Sequence, residues 1–226
     1  MKKVFQFSSS ASLERLTGRK ASNLKDLLDL IKTCSASSIF YHTFSAFLKL
    51  REAQVPYNSD FAIWVARMLN ERSLAEKLTA IDLSEHNTLE SLRKRLIQLI
   101  DHHIKENPLS RKKIADEPFY LHDVTRVVYL TDHFAYDLTS FREVLTKVSM
   151  YSVYFHYIES RLHSQLMTDD FSAWIEESLE MPSLAEKIMQ IDISVYTLEG
   201  LRSRILQLID GYLEKGKRKG KSKGKR

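Results

Sequence analysis

Apolar residues recur at helical spacing through most of this chain, and the pattern is written twice. In "TLESLRKRLIQLID", which starts at Thr88, Leu89, Leu92, Leu96, Leu99 and Ile100 fall on one side of a helix and charges on the other. The same arrangement returns in "TLEGLRSRILQLID" from Thr197. "DFAIWVARML" from Asp60 meets "DFSAWIEESL" from Asp170, and "SLAEKLTAID" from Ser73 meets "SLAEKIMQID" from Ser183. Upstream, Phe5 aligns with Phe119, Ala21 with Ala135, Leu24 with Leu138 and His42 with His156. So ordered a match is the signature of an internal repeat. The chain therefore reads as a tandem duplication, with unit 1 over residues 1–106, a polar linker over 107–117, unit 2 over 118–213 and a basic tail over 214–226.

Start signals place the helices. Asn23 or Asp137 can cap a first helix, and Ser37, Ser38 and Ser152 precede a histidine-bearing segment. Asp60 and Asp170 can accept from the free N–H groups that open the next helix. Ser73 with Glu76, and Ser183 with Glu186, fit a capping box, and Pro182 supports a helix start there. "VFQF" and "PFYLH" read as short extended segments. The expected fold class is all-α: five helices per unit with at most one short strand.

Composition changes this picture little, and charge changes it more. Of 226 residues 43% are hydrophobic and only ten are Gly or Pro, a globular balance. The net charge of +5 is concentrated in "KGKRKGKSKGKR", residues 215–226. Setting aside its eight Lys and Arg leaves 26 bases against 29 acids, so the remainder is mildly acidic and argues against a basic nucleic-acid-reading surface spread over the fold. The opening "MKKVFQF" lacks the apolar core of a signal peptide, and no stretch approaches a membrane span. A cytoplasmic protein is expected, with no membrane partner. One cysteine, Cys34, excludes an internal disulfide framework and a multi-cysteine zinc site.

The ordered set "YHT", "DFAIWVARML", "SLAEKLTAID" and "TLESLRKRLIQLID" resembles a family of prokaryotic domains of unknown function, over residues 4–105 and, more loosely, 118–213. Some members of that family are joined to sugar-transferring enzymes, so the resemblance implies an association with sugar metabolism. It carries over no catalytic residue. The second copy departs from the first: Gly18-Arg19-Lys20 becomes Asp132-His133-Phe134, and Thr43 becomes Tyr157. A site made of those residues in the first copy is lost in the second.

His42 in "SIFYHTF" and His156 in "SVYFHYI" are the foremost chemical candidates, as ligand-binding groups or general bases. Each lies in a helix apolar almost all round, where burial favours a neutral, hydrogen-bonded imidazole and hence an architectural role. Asp60 and Asp170 are available as partners, although capping accounts for them without chemistry. Arg19 and Lys20 can meet a phosphate near the first helix, against the alternative of a solvated loop. Trp64 and Trp174 suit core packing better than a sugar platform. Cys34 faces Val148 in the copy, which suits a buried thiol, and His102-His103 point different ways and make a poor metal pair. No phosphate loop, dinucleotide fingerprint, zinc-protease or nucleophile-elbow motif occurs. No cofactor and no metal are expected. Lys215, Lys217, Arg218, Lys219, Lys221, Lys223, Lys225 and Arg226 form a flexible, Gly-spaced cation chain able to hold polyanions by counterion release. These observations predict a non-enzymatic binding or scaffold protein. Its partners would be a second protein and, through the tail, nucleic acid or another polyanion. The alternative is an enzyme or regulatory module of sugar metabolism with a ligand pocket near His42.

Overall fold

The computed structural model describes residues 3–162 and 168–223, and it corrects the all-α expectation at the first element. Strand β1 runs Phe5–Ala21 and strand β2 Phe119–Ala135, 17 residues each, paired as a two-stranded sheet. The chain is thus mixed α/β. Thr131 Oγ1 donates to Phe7 O (2.6 Å) near one end of the ribbon, and Thr17 Oγ1 to Leu121 O (2.7 Å) near the other. Early residues of each strand meet late residues of the other, so the strands are antiparallel. Only the strand ends are buried against helices. The middle is exposed on both faces and carries no apolar–polar alternation, which is why the sequence suggests short segments where long strands stand.

Each strand is followed by the same series of helices. After β1 come α1 (Leu24–Thr33), α2 (Ala36–Phe40), a π-helical turn over Tyr41–Ser45, α3 (Ala46–Glu52), α4 (Asp60–Arg67), α5 (Arg72–Thr79) and α6 (Leu89–Glu106). After β2 come α7 (Leu138–Leu145), α8 (Met150–Tyr154), a π-helical turn over Phe155–Glu159, α9 (Asp170–Glu177), α10 (Pro182–Met189) and α11 (Leu198–Lys223). Asn23 and Asp137 cap α1 and α7 through their side chains. The caps of α4 and α9 are Ser59 and Asp169, one residue before the aspartates expected there. Helix α5 opens at Arg72 without a side-chain cap, so Ser73 and Glu76 form no capping box; α10 opens on Pro182 instead. Helix α11 continues to Lys223, so the backbone of the basic segment is helical that far.

Contacts divide the chain into two compact units that do not follow chain order. One is Ser12–Arg126; the other is Met1–Ala11 together with Val127–Arg226. Each helical series is therefore completed by the opening of the other series' strand. In the Ser12–Arg126 unit, Leu27, Ile31, Phe61, Leu74, Leu92 and Ile100 are buried, and Phe119 of β2 packs on Phe61, with ring centroids 5.3 Å apart. Trp64 Nε1 donates to Glu117 O (2.8 Å). In the other unit, Phe141, Phe171, Ile175, Ile188 and Ile205 are buried, Phe7 of β1 stacks on Phe141 (5.5 Å), and Trp174 Nε1 donates to Lys3 O (2.6 Å). Each indole is core on its ring and satisfied at its N–H, as a buried tryptophan requires. Among the described residues no helix is long and apolar enough to cross a membrane.

Candidate functional site

The residues that sequence reasoning ranks first lie at the two junctions between a strand and its helices. His42 and His156 sit in the π-helical turns and are 2% and 4% exposed. His42 Nε2 accepts the backbone N–H of His122 on β2 (2.9 Å), and its Nδ1 lies 2.8 Å from Asp60 Oδ2. His156 Nε2 accepts the backbone N–H of Ser8 on β1 (2.7 Å), with Nδ1 2.7 Å from Asp170 Oδ2. An amide can only donate, so Nε2 must carry the lone pair; the ring proton sits on Nδ1 and is donated to the carboxylate. Both ring nitrogens of each imidazole are thereby engaged. Burial pushes the His42 pKa down, against the opposing pull of Asp60. The strand N–H groups at 122 and 8 point away from the β1–β2 ladder and would be stranded without these acceptors. Asp60 and Asp170, released from capping by Ser59 and Asp169, are the orienting partners of the two imidazoles.

The surroundings of the two histidines then diverge. Beside His42, the Tyr41 hydroxyl donates to Glu14 Oε2 (2.8 Å), and Lys49 Nζ reaches Glu14 Oε1 (2.5 Å). The Tyr41 ring stacks on the His122 ring at 5.3 Å. Lys49 and Tyr41 hold the Glu14 carboxyl below its usual range, while burial and the neighbouring Glu14 push the Tyr41 phenol up. His122 Nδ1 donates to Tyr120 O (3.2 Å), and among the described residues its Nε2 has no hydrogen-bond partner. Asp60 keeps Oδ1 outside its bond to His42, on a side chain 36% exposed. The positions corresponding to Glu14, Tyr41 and His122 hold Val128, Phe155 and Ser8. This polar group thus belongs to the Ser12–Arg126 unit alone. An imidazole with one open nitrogen, set beside a Lys49–Glu14 ion pair at a half-buried surface, can bind a polar group. His122 escapes a reading guided by the repeat, because repetition draws attention to shared residues; the signal was the histidine of "PFYLH" standing where "VFQFS" has serine.

The other candidates disperse. The Arg19 guanidinium donates to Thr33 O (3.3 Å) and Thr33 Oγ1 at the end of α1, so it serves that helix terminus rather than His42. Lys20 is exposed nearby, after Gly18 at φ +79°. Cys34 is buried, its thiol pKa raised by burial, with Arg93 Nη1 3.5 Å from Sγ. His103 is buried against Glu71 (3.0 Å), whereas His102 meets Glu106 (3.1 Å), so the adjacent pair diverges. Among the described residues no three His, Cys, Asp or Glu side chains are grouped to hold a metal ion. Of the basic candidates, Lys215 is exposed on α11, and Lys217, Arg218, Lys219, Lys221 and Lys223 lie on its last turns with side chains that are not described. Lys225 and Arg226 lie outside the described residues.

The chain belongs to the Family of unknown function (DUF5752), whose family model matches residues 2–210 as one span. That span corrects the resemblance of each half to a whole domain: the family's unit comprises both helical series. No curated protein matches the chain. Among solved structures it is similar to OrfY from Thermoproteus tenax, with 28% identity, a TM-score of 0.80, 92% of this chain covered and 95% of that one.

Proposed function

We propose that this family member is a non-enzymatic binding or scaffold protein. In this reading the helices and buried histidines are framework, and recognition occurs at the polar group around His122, Tyr41, Glu14 and Lys49. One observation carries it: the imidazoles at matching positions of the two helical series, His42 and His156, spend both ring nitrogens on an aspartate and a strand amide. A general base needs a free lone pair within reach of its substrate, and neither imidazole keeps one. The basic segment from Lys215 adds non-specific attachment to RNA, DNA or another polyanion.

The test is a salt titration of RNA and DNA binding by the full chain and by a chain ending at Leu213. Binding by the full chain alone, falling steeply with salt, is the expected result. Binding by the shortened chain as well would move the polyanion site onto the fold and remove the basic segment from the account.

A second reading, an enzyme or regulatory module of sugar metabolism with its pocket near His42, has one observation in its favour. The His122 ring lies 5.8 Å from the His42 ring and keeps Nε2 open, and Asp60 keeps one oxygen outside its bond to His42. It predicts that His122→Ala abolishes the binding of a sugar or sugar phosphate while leaving thermal stability unchanged.

A further inference from the structure

The two strands of the ribbon are protected unequally, and the difference marks an interface. Val127, Val128, Tyr129 and Leu130 are 60%, 47%, 50% and 69% exposed, four consecutive apolar residues on a strand with both faces in solvent. Folded chains rarely leave such a run uncovered. The His122 N–H is given to His42 and so points away from β1. Ten residues separate Phe7 from Thr17 and ten separate Leu121 from Thr131, so the cross-strand ties at the two ends share one register without an inserted residue. Period two then aims the N–H and C=O groups of Val128 and Leu130 outward, like those of His122, away from the ladder. The free edge of β1 is different. It carries Glu14, Arg15, Arg19 and Lys20 and is interrupted by Gly18 at φ +79°, devices that discourage strand addition. Nothing comparable stands between residues 127 and 131 of β2.

We propose that residues 126–132 of β2 pair antiparallel with the same segment of a second copy of this chain, making a four-stranded sheet about a twofold axis at Tyr129. The sequence is self-complementary in that register. Val128 faces Leu130 of the other copy, Val127 faces Thr131, and Arg126, whose guanidinium lies over the Phe40 ring at 4.6 Å and keeps its charge there, faces Asp132, so each end of the pairing sets a cation against a carboxylate. Backbone direction agrees: centring on Tyr129 makes the outward-facing pair, Val128 and Leu130, the hydrogen-bonded one. A register shifted by one residue would oppose groups that are already used in the β1 ladder. Few residues per copy take part, well below a standard interface, so the dimer is weak and concentration-dependent.

The test is sedimentation of the full chain over a wide concentration range, with circular dichroism and thermal melting confirming that each variant is folded. Wild type is expected to move from monomer to dimer. Val128→Pro removes an outward N–H and no ladder bond, and is expected to weaken association at least tenfold. Ser12→Pro, on the outer edge of β1, should leave it unchanged. Arg126→Asp alone and Asp132→Arg alone should each be monomeric, because each places like charges at both ends. Mixed one to one, they should form a heterodimer, since every end then regains an opposite pair. Wild type that stays monomeric throughout, dimers indifferent to Val128→Pro, or charge variants that fail to associate on mixing would each overturn the proposal.

Discussion

In the Ser12–Arg126 unit the carbonyls closing α5 are taken by one neutral side chain: Asn58 Nδ2 donates to Thr79 O (2.7 Å) and Ile81 O (3.1 Å). At the corresponding end of α10 the task falls to several groups. The Tyr157 hydroxyl donates to Ile188 O (2.6 Å), and Arg161 Nη2 donates to Met189 O (3.1 Å). Arg161 also covers the Tyr157 ring and pairs with Asp169 (3.3 Å), which is wholly buried. One unit solves a helix terminus with an amide, the other with a phenol and a buried ion pair. The histidine junctions, by contrast, are solved alike in both. Features common to the two units serve the frame; features present in one are free to serve something else.

The largest effect should come from the ion pair. Asp169→Ala strips the α9 cap and leaves Arg161 buried without its counter-charge, at a cost of about 3–5 kcal/mol. Ser59→Ala, the counterpart in the other unit, removes a neutral cap and costs about 1 kcal/mol. Urea unfolding of the two variants reads the difference, and equal losses would erase the distinction between the units. His42→Ala and His156→Ala come next, each destabilising by about 1–3 kcal/mol through a stranded strand amide. Hydrogen exchange should accelerate at the His122 amide in the first variant and at the Ser8 amide in the second.

Acidity gives a smaller effect. The folded pKa of His42 is held below its ordinary value of 6.5, so near and below that pH the unfolded chain binds more protons than the folded one. Its contribution is therefore complete above pH 6.5 and is lost as pH falls toward and through the folded pKa, by at most about 1.4 kcal/mol per pH unit. Urea midpoints of wild type and His42→Asn between pH 7.5 and 5.5 test this: the wild-type midpoint should fall more steeply. Smallest of all is Tyr41→Phe, which imposes the Phe155 of the other unit and breaks a half-exposed bond to Glu14. It should cost no more than about 1 kcal/mol by the same unfolding assay, and a larger loss would make the polar group around His122 part of the frame.

Much of this was legible in the residues. Leu92, Leu96 and Ile100 announce α6 by their spacing, and the aromatic surroundings of His42 announce its burial, because both signals are local. Asp60 could be named as a partner for His42, but its role could not be separated from capping until Ser59 was seen to occupy the cap. The strands were underestimated because residues such as Leu13 and Leu16 face solvent, leaving no alternation to read. The acceptors of the exchanged strand openings were beyond reach. The amide held by His42 lies 80 residues away and that held by His156 148 residues away, and no local pattern encodes such pairings.

The exchange of strand openings also sets an order of events in synthesis. The Ser12–Arg126 unit has all its parts once residue 126 has left the ribosome. The other unit cannot close until Trp174, 171 residues after Lys3, has emerged to receive the first strand. At roughly 5–20 residues per second that delay is on the order of ten to thirty seconds. For that interval Phe5 and Phe7 lack the helices that bury them, so two core aromatics wait on the nascent chain, open to chaperones and to misassembly, while most of the protein is made.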